Sequence, residues 1–233
     1  MILAAHQPIF SPWLGFFYKM VYSDLLILLD DVQLPRGTAW INKNRFKNHQ
    51  GTLWLTVPIW KKGKGLQKIN EVEICYEGKW PTKHLRSLEM AYGNSPYWND
   101  SSSFWEKIFS QNDLRLLNLN LQIIEYLKNA FLIPATIQSS SPLKITSKGN
   151  ERLIEICQKF KATTYLAQYE AKKFIQDELF SKAGIKVQYF RFHHPIYPQL
   201  WGDFISHLSA WDLLFNCGPR SRNILTHADK KIT

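Results

Sequence analysis

The stretch ILAAHQPIFSPWLGFFYKMVYSDLLILLDDVQ, residues 2–33, decides the fold of this chain. It begins and ends with short apolar runs, ILAA at 2–5 and LLILL at 25–29, which are typical of strands buried on both faces. Between the runs we predict a helix over residues 12–22, with Ser11 as its N-cap. A strand, a helix and a strand within about 30 residues predict a βαβ unit with two parallel strands.

The rest of the chain continues the alternation of strands and helices. Further strands are predicted at 53–59, 69–75, 163–168 and 185–192. Helices are predicted at 79–92, 113–131, 150–160, 171–183 and 209–216, with a loop at 94–103. The first two of these strands flank the Lys/Gly-rich loop KKGKGLQK, which favours a hairpin. We therefore predict an α/β fold with a mostly parallel sheet built from βαβ units and a hairpin, in one domain spanning residues 1–233 with a helical insertion at about 79–135.

Composition excludes several classes of protein. Of the 233 residues, 45% are hydrophobic and 21% charged, a balance that argues against intrinsic disorder. No apolar run reaches the roughly 18 residues of a transmembrane helix, and the start MILAAHQP lacks the basic segment of a signal peptide. The three cysteines form no CxxC pair, which argues against a disulfide framework and a cysteine zinc site. We expect a cytoplasmic protein, and the sequence identifies no metal-binding residues.

The chain is basic, with 29 Lys and Arg against 19 Asp and Glu, a formal charge of +10. Part of the excess, Lys61, Lys62, Lys64 and Lys68, falls in one loop, where solvated lysines are expected. Nucleic-acid binding requires a basic face with exposed aromatic residues, but most of the nine Trp lie in apolar segments where burial is expected. We therefore expect a small anionic or nucleotide-linked ligand in preference to nucleic acid.

Polar side chains follow the first two predicted strands. His6 and Gln7 come after the first strand, and Asp31 and Gln33 come after the second. In open α/β sheets ligands bind beyond the carboxyl ends of the strands, and the N-terminus of the intervening helix can attract an anion. Histidine titrates near neutrality and often serves as a general base. In the structural alternative, His6 only ends a strand and the aspartates cap a turn.

Two later segments supply further candidates. In the WINKNR run at 40–45, Arg45 has the fork geometry that clamps phosphate or carboxylate, unless the run is only a solvated basic turn. Ser209 and Asp212 have the spacing of a helix capping box, which favours a structural role for both. No P-loop or GxGxxG motif is present, so the sequence identifies no cofactor.

The motifs of this chain resemble those of the WbqC-like protein family. The matching stretches are HQPIFSPWLGFFYKMVYSD, LLDDVQLPRGTAWINKNRFK, LTVP, RLIEIC, TTYLA, FSKAGIKVQYF, PIYPQ and FISHLSAWDLLFNCG, which run from His6 to Gly218. The resemblance implies a bacterial protein associated with O-antigen and other surface-polysaccharide loci. It implies a role in modifying an activated sugar, by acyl or aminoacyl transfer to an amino sugar. One departure is Gln168, where family members often have Gly.

The resemblance also implies the site residues. Its motif positions are His6, Gln7, Pro12, Gly15, Lys19, Asp24, Asp31, Gln33, Asn44, Arg45, Tyr197, Gln199, Ser209, Asp212 and Asn216. As an enzyme, the chain would use His6 as general base, oriented by Asp31 or Asp212, with Lys19 and Arg45 binding an anionic group. The remaining residues expected to bind substrate are Gln7, Trp13, Gly15, Gln33, Asn44, Tyr197, Gln199, Ser209 and Asn216.

Two other classes of function stay open. A non-catalytic sugar- or partner-binding module would present a shallow, aromatic-lined groove without a convergent His/Asp pair. A nucleic-acid-binding protein would show strongly salt-dependent affinity.

Overall fold

The fold is organised by one parallel sheet, seen in a computed structural model that describes residues 1–35 and 40–227. The strands are β1 (Ile2–His6), β2 (Leu25–Leu28), β3 (Lys43–Asn48), β4 (Gly51–Thr56), β5 (Thr136–Ser139), β6 (Thr164–Gln168) and β7 (Lys186–Phe190). The α-helices are α1 (Leu14–Val21), α2 (Trp80–Tyr92), α3 (Asn99–Ser110), α4 (Leu116–Ala130), α5 (Gly149–Lys159), α6 (Asp177–Lys182), α7 (Ala210–Cys217) and α8 (Ser221–His227). Five strands form a parallel sheet in the order β5-β2-β1-β6-β7, and β3 and β4 form a separate antiparallel hairpin. The predicted α/β fold is confirmed.

The β1-α1-β2 unit forms as the sequence predicts. The two strands pair in parallel, with Leu3 opposite Leu25 and His6 opposite Leu28. Because side chains alternate along a strand, one face of the pair packs into the main core and the other into a second, smaller core. On β1, Ala4 belongs to the main core and Leu3 to the smaller one. Burial on both faces explains the unbroken apolar run of β2.

The first helix begins later than predicted. Helix α1 starts at Leu14 with Trp13 as its N-cap, whereas Ser11 has a positive φ of 46° and does not cap it. The Asn44 side chain donates to the carbonyls of Phe10 (3.1 Å) and Ser11 (2.7 Å). The loop between β1 and α1 is therefore held from outside by β3, a long-range contact that local sequence signals do not contain.

The predicted hairpin between strands at 53–59 and 69–75 is wrong, although residues 53–56 do belong to a strand, β4. The hairpin instead joins β3 to β4. The later segment contains a 3₁₀ turn at Ile69–Glu71 and isolated bridges from Glu73 to Arg115 and from Ile74 to Ile59. Strand β3 was missed because its sequence, KNRFKN, is mostly polar. Its inward positions nonetheless include the buried Asn44 and Phe46, while Lys43 and Arg45 point to the other face.

The remaining differences are local. Helix α3 occupies residues 99–110, where part of a loop was predicted, and α8 was not predicted. The helix predicted at 171–183 is divided into a 3₁₀ turn at Tyr169–Lys173 and the short α6. Helices α2, α3 and α4 fall within the segment predicted as an insertion, and their apolar faces contribute to the main core. Among the described helices, none has the length and apolar content needed to cross a membrane.

Two aspartates after β2 form a polar latch with the segment that follows β5. Asp30 accepts hydrogen bonds from the Ser141 amide (2.8 Å) and hydroxyl (2.6 Å) and from the Ser140 hydroxyl (3.2 Å). Asp31 accepts from the Ser140 hydroxyl and forms an ion pair with Arg152 of α5. Both side chains of this pair are largely buried, so the latch fixes α5 against the edge of the sheet.

We expect Asp31→Asn to lower the free energy of unfolding at pH 7 by about 3 kcal/mol, because it leaves the Arg152 guanidinium buried without a counter-charge. Urea unfolding followed by circular dichroism measures the change. Glu73→Gln is the matched control, since it breaks exposed ion pairs with Lys64 and Arg115 and should have little effect.

The effect of Asp31→Asn should depend on pH. Burial acts to raise the pKa of Asp31, but hydrogen bonds from Ser140 and Arg152 and the charge of Arg152 outweigh it and lower that pKa. The folded pKa lies below the unfolded value of about 3.9, so the carboxylate stabilises the fold fully above that value, and this stabilisation is lost as the pH falls through the folded pKa. The stability difference between wild type and variant should shrink below about pH 4. A difference that stays constant down to pH 3 would contradict this assignment.

Candidate functional site

A cleft of about 430 Å³ opens at the carboxyl end of β1. Its lining residues are His6, Gln7, Ile9, Trp13, Pro35, Trp40, Ile41, Asn44, Arg45 and His207. The structure thus brings together five of the predicted site residues, from the end of β1, the start of α1 and strand β3. Its size and its mixture of aromatic and polar walls are typical of small-molecule sites.

His6 is held as a neutral imidazole on the wall of this cleft. Its Nδ1 lies 2.8 Å from the carbonyl oxygen of Gln7, which can only accept, so Nδ1 carries the proton and Nε2 is an acceptor. Burial and the nearby charge of Lys19 lower the pKa of His6 to about 3. The described residues offer Nε2 no hydrogen bond, which leaves it as the ring atom available to a ligand.

Lys19 acts on His6 from within the core. Its Nζ donates to the carbonyl of Ala5 at 3.1 Å, the residue is buried, and it does not line the cleft. Burial lowers the pKa of Lys19 to about 8, so the ammonium form still predominates at pH 7. The structure therefore places Lys19 as a buried charge that adds to the effect of burial in lowering the pKa of His6, and not as the predicted direct contact to an anion.

Gly15 provides the space for Trp13. A Cβ at Gly15 would overlap the six-membered ring of the Trp13 indole, which folds back over the first turn of α1. The indole also stacks on the His207 ring at 5.5 Å and meets Phe192 edge-on at 5.3 Å. Gly15 is thus a positioning residue for an aromatic wall of the cleft, and the indole covers the helix terminus that was predicted to attract an anion.

Asn44 and Arg45 have different roles despite their adjacency. Both donors of the Asn44 carboxamide are used, by the carbonyls of Phe10 and Ser11, and its oxygen accepts from the Arg45 amide at 2.8 Å. The Arg45 guanidinium donates to the carbonyl of His207 at 2.9 Å, and its Nε is buried without a described partner. Arg45 is therefore the cation on the cleft wall that retains donors for a ligand.

His207 was missed as a site residue. It lies in the loop before α7, where it has a positive φ of 58° and stacks on Trp13. The available signal was its place within the family-like stretch FISHLSAWD, two residues before Ser209. Ile9 and Pro35 also line the cleft without having been predicted, because apolar wall positions carry no chemical signature.

The predicted pairing of His6 with an aspartate is not formed. No hydrogen bond joins His6 to Asp31 or Asp212 in the described part of the chain, and neither carboxylate lines the cleft. Asp31 belongs to the latch with Ser140 and Arg152. The pairing was predicted because both aspartates are polar motif residues and Asp31 follows a strand. Residues that only stabilise the fold can have the same two properties.

Asp212 lies in a separate buried network. It is fully buried and accepts hydrogen bonds from Tyr92 (2.9 Å), Tyr197 (2.9 Å) and Gln199 (2.8 Å). Burial raises the pKa of Asp212 to about 6, against the three hydrogen bonds and the charge of Lys47. This network joins β3, α2 and α7, so Tyr197, Gln199 and Asp212 are placed as structural residues.

Ser209 and Asn216 also serve structure, whereas Gln33 lies in another cleft. Ser209 N-caps α7, as predicted, and its amide donates to the carbonyl of Arg45 at 2.7 Å. Asn216 donates to the Asp212 carbonyl at 2.7 Å and accepts from the Leu200 amide at 3.1 Å. Gln33 lines a second cleft of about 400 Å³, which shares Pro35 with the first. Residues 1–35 and 40–227 contain no cluster of three His, Cys, Asp or Glu side chains placed to hold a metal ion.

We predict that Lys19→Gln raises the pKa of His6, because it removes a positive charge while keeping a donor for the Ala5 carbonyl. The new pKa should lie above about 3 and below 6.5, since burial, the larger cause, remains. NMR titration of isotope-labelled histidine rings measures it. Lys43→Gln, which removes a partly exposed charge that does not act on His6, is the control and should leave the His6 titration unchanged. An unaltered His6 pKa in Lys19→Gln would refute the coupling.

We predict that Gly15→Ala destabilises the fold by about 1 to 3 kcal/mol, because the new methyl group displaces the Trp13 indole. In a Trp13→Ala background the same change should be stabilising by up to about 1 kcal/mol, since alanine is then free to show its higher helix propensity. Thermal and urea unfolding of the four proteins give both values. The same sign in both backgrounds would show that Trp13 does not occupy the space above Gly15.

Comparisons with known proteins agree with the sequence motifs. A family model described as the WbqC-like protein family matches residues 7–224. The uncharacterized protein Rv1507c of Mycobacterium tuberculosis is 30% identical over 228 residues, which cover 97% of each chain. No solved structure matches this chain at a significant level. The chain belongs to the WbqC-like protein family.

Proposed function

We propose that this protein is an enzyme of bacterial surface-polysaccharide (O-antigen type) biosynthesis that transfers an acyl or aminoacyl group to the amine of an activated amino sugar. The observation that carries the proposal is the neutral His6 imidazole, whose acceptor Nε2 lies on the wall of a cleft large enough for a monosaccharide. The family resemblance supports the pathway, and the geometry of the cleft supports the chemistry.

The reaction needs a proton acceptor at the attacking nitrogen. The amine attacks the carbonyl carbon of an activated acyl donor, such as a thioester or ester, and a nitrogen–carbon bond forms. In the tetrahedral adduct the nitrogen is positively charged and strongly acidic, so even a weak base can remove its proton. His6 Nε2 receives that proton and passes it to the departing thiolate or alkoxide as the carbon–leaving-group bond breaks.

The other walls of the cleft suit an anionic sugar derivative. Arg45 retains guanidinium donors for a phosphate, and it is held in place by the His207 carbonyl. Trp13, Trp40 and Ile41 supply apolar surface for a sugar ring. Arg45 and the neutral His6 imidazole are different residues of the same cleft lining, so one can bind charge while the other transfers the proton.

We expect His6→Gln to reduce kcat/KM for transfer by 100-fold or more, the range that general acid–base groups contribute. The assay offers nucleotide-linked amino sugars with an acyl thioester or an aminoacyl ester and detects the acylated product by mass spectrometry. His194→Gln is the matched control, because His194 also bonds a carbonyl through Nδ1 and has a pKa lowered by burial, but lies outside the cleft lining. Equal turnover by wild type and His6→Gln would contradict the assignment of His6 as the general base.

The pH profile provides a second check on the same residue. Because the pKa of His6 is about 3, its imidazole stays neutral from pH 5 to 8. We therefore expect that protonation of His6 causes no fall in kcat/KM as the pH is lowered through 6.5.

A non-catalytic sugar-binding module is the second candidate, favoured by one specific observation. His6 has no carboxylate partner among the described residues, unlike the orienting pairs that many general bases use. A thermal-shift screen with the same sugars distinguishes the two. Stabilisation by a sugar without acyl transfer from any donor would support the binding module.

A further inference from the structure

Two exposed tryptophan rings stack on each other at the mouth of the cleft. Trp40 is 42% exposed and Trp54 48% exposed, and their ring centroids are 5.5 Å apart with 28° between the planes. We call Trp40 and Trp54, together with Lys43 and Arg45, the tryptophan platform. Of its members, Trp40 and Arg45 also line the cleft.

The hairpin register creates the platform. Arg45 of β3 lies directly opposite Trp54 of β4, and Lys43 shares the face of Arg45 because strand residues two apart point the same way. The Lys43 Nζ lies 5.1 Å from the Trp54 ring centroid, and the Arg45 guanidinium lies 5.5 Å from the Trp40 ring and 6.0 Å from the Trp54 ring. Cations and aromatic rings therefore alternate across one exposed surface.

This surface combines two kinds of recognition. Exposed indoles stack with flat aromatic groups in a manner that tolerates different bases, and neighbouring cations attract phosphate. The two rings remain about half exposed, with Lys43 lying over the Trp54 ring and Arg45 lying near both rings. A ligand that carries a flat aromatic base and adjacent negative charges complements both features.

We propose that the tryptophan platform is a nucleotide subsite that binds the base and diphosphate of a nucleoside diphosphate. The base packs against the exposed part of the stacked Trp40–Trp54 pair, and the diphosphate lies against Arg45 and Lys43. This places whatever the diphosphate carries in the cleft beside His6, a placement that rests on the proposed function, whereas nucleotide binding itself does not.

The extent of the platform favours a single nucleotide over a nucleic-acid strand. Proteins that bind single strands line a groove of several nucleotides with repeated aromatic residues and cations. Here the platform has two rings and two cations and ends at a cleft of about 430 Å³. The two rings and the two cations match one base and one diphosphate.

Titration calorimetry and tryptophan fluorescence with ADP, GDP, CDP, UDP and dTDP test the proposal, with the matching nucleosides and inorganic pyrophosphate as fragments. We expect at least one diphosphate to bind and to quench tryptophan emission, and to bind more tightly than its nucleoside or pyrophosphate. Absence of binding by all five diphosphates at millimolar concentration would overturn the subsite. Tighter binding of a single-stranded RNA oligonucleotide than of any diphosphate would overturn it in favour of nucleic acid.

Trp54→Ala and Trp54→Leu should weaken diphosphate binding by about 5- to 150-fold, the range expected for loss of one base stack. Trp60→Ala is the matched control, because Trp60 is 38% exposed and belongs to neither the platform nor the cleft lining. Equal losses in Trp54→Ala and Trp60→Ala would contradict the proposal. The leucine variant guards against a folding defect, since it keeps an apolar side chain on β4.

Arg45→Gln should remove most of the advantage of the diphosphate over its nucleoside and flatten the salt dependence of binding. An unchanged advantage would exclude Arg45 as the phosphate contact. If nucleotides bind in a manner that depends on Trp54 but no acyl transfer is detected, the subsite is supported and the proposed enzyme activity is contradicted. If acyl transfer is equally fast with sugar 1-phosphates and with nucleotide-linked sugars, the enzyme activity is supported and the nucleotide subsite is contradicted.

Discussion

The pairing of β1 with β2, buried on both faces, is the constraint on which the rest of the structure depends. Apolar residues of the pair face two different cores, so no polar side chain is tolerated until the strands end. Polar groups are therefore concentrated at the carboxyl edge, where His6 and the Asp30–Asp31 pair lie. The parallel crossover through α1 then brings Trp13 back to the same edge.

The polar residues at this edge of the sheet have two different roles. After β2, the aspartates bind Ser140, Ser141 and Arg152 and fix α5 to the sheet. After β1, His6 faces a cleft and is kept neutral by burial and by Lys19. The same physical setting, a polar group at the end of a buried strand, thus gives a structural latch where partners are available and a candidate reactive group where they are not.

The hairpin of β3 and β4 shows where sequence interpretation fails. Its first strand is mostly polar, because one face holds the β1-α1 loop through Asn44 and the other carries Arg45 and Lys43 outward. Hydrophobic alternation, the main signal for a strand, is therefore weak in this segment. The hairpin was predicted instead around the Lys/Gly-rich loop that follows β4. The expectation that tryptophans other than Trp13 and Trp40 are mainly core residues holds for Trp105 and Trp211 but not for Trp54 and Trp60.

The sequence by itself determined the α/β class, the β1-α1-β2 unit, the family and the presence of His6, Trp13 and Arg45 at a strand-end site. These follow from local periodicity and contiguous motifs. Only the tertiary structure decided that Asp31 and Asp212 serve the fold, that Lys19 acts through burial, and that His207 and Trp54 join the site or its border. Each of these outcomes involves a partner far away in the sequence. Asp31 is 121 residues from Arg152, Asp212 is 120 residues from Tyr92, and His207 is 162 residues from Arg45. The local sequence around a carboxylate is the same whether the folded chain pairs it with an arginine or leaves it facing a cleft.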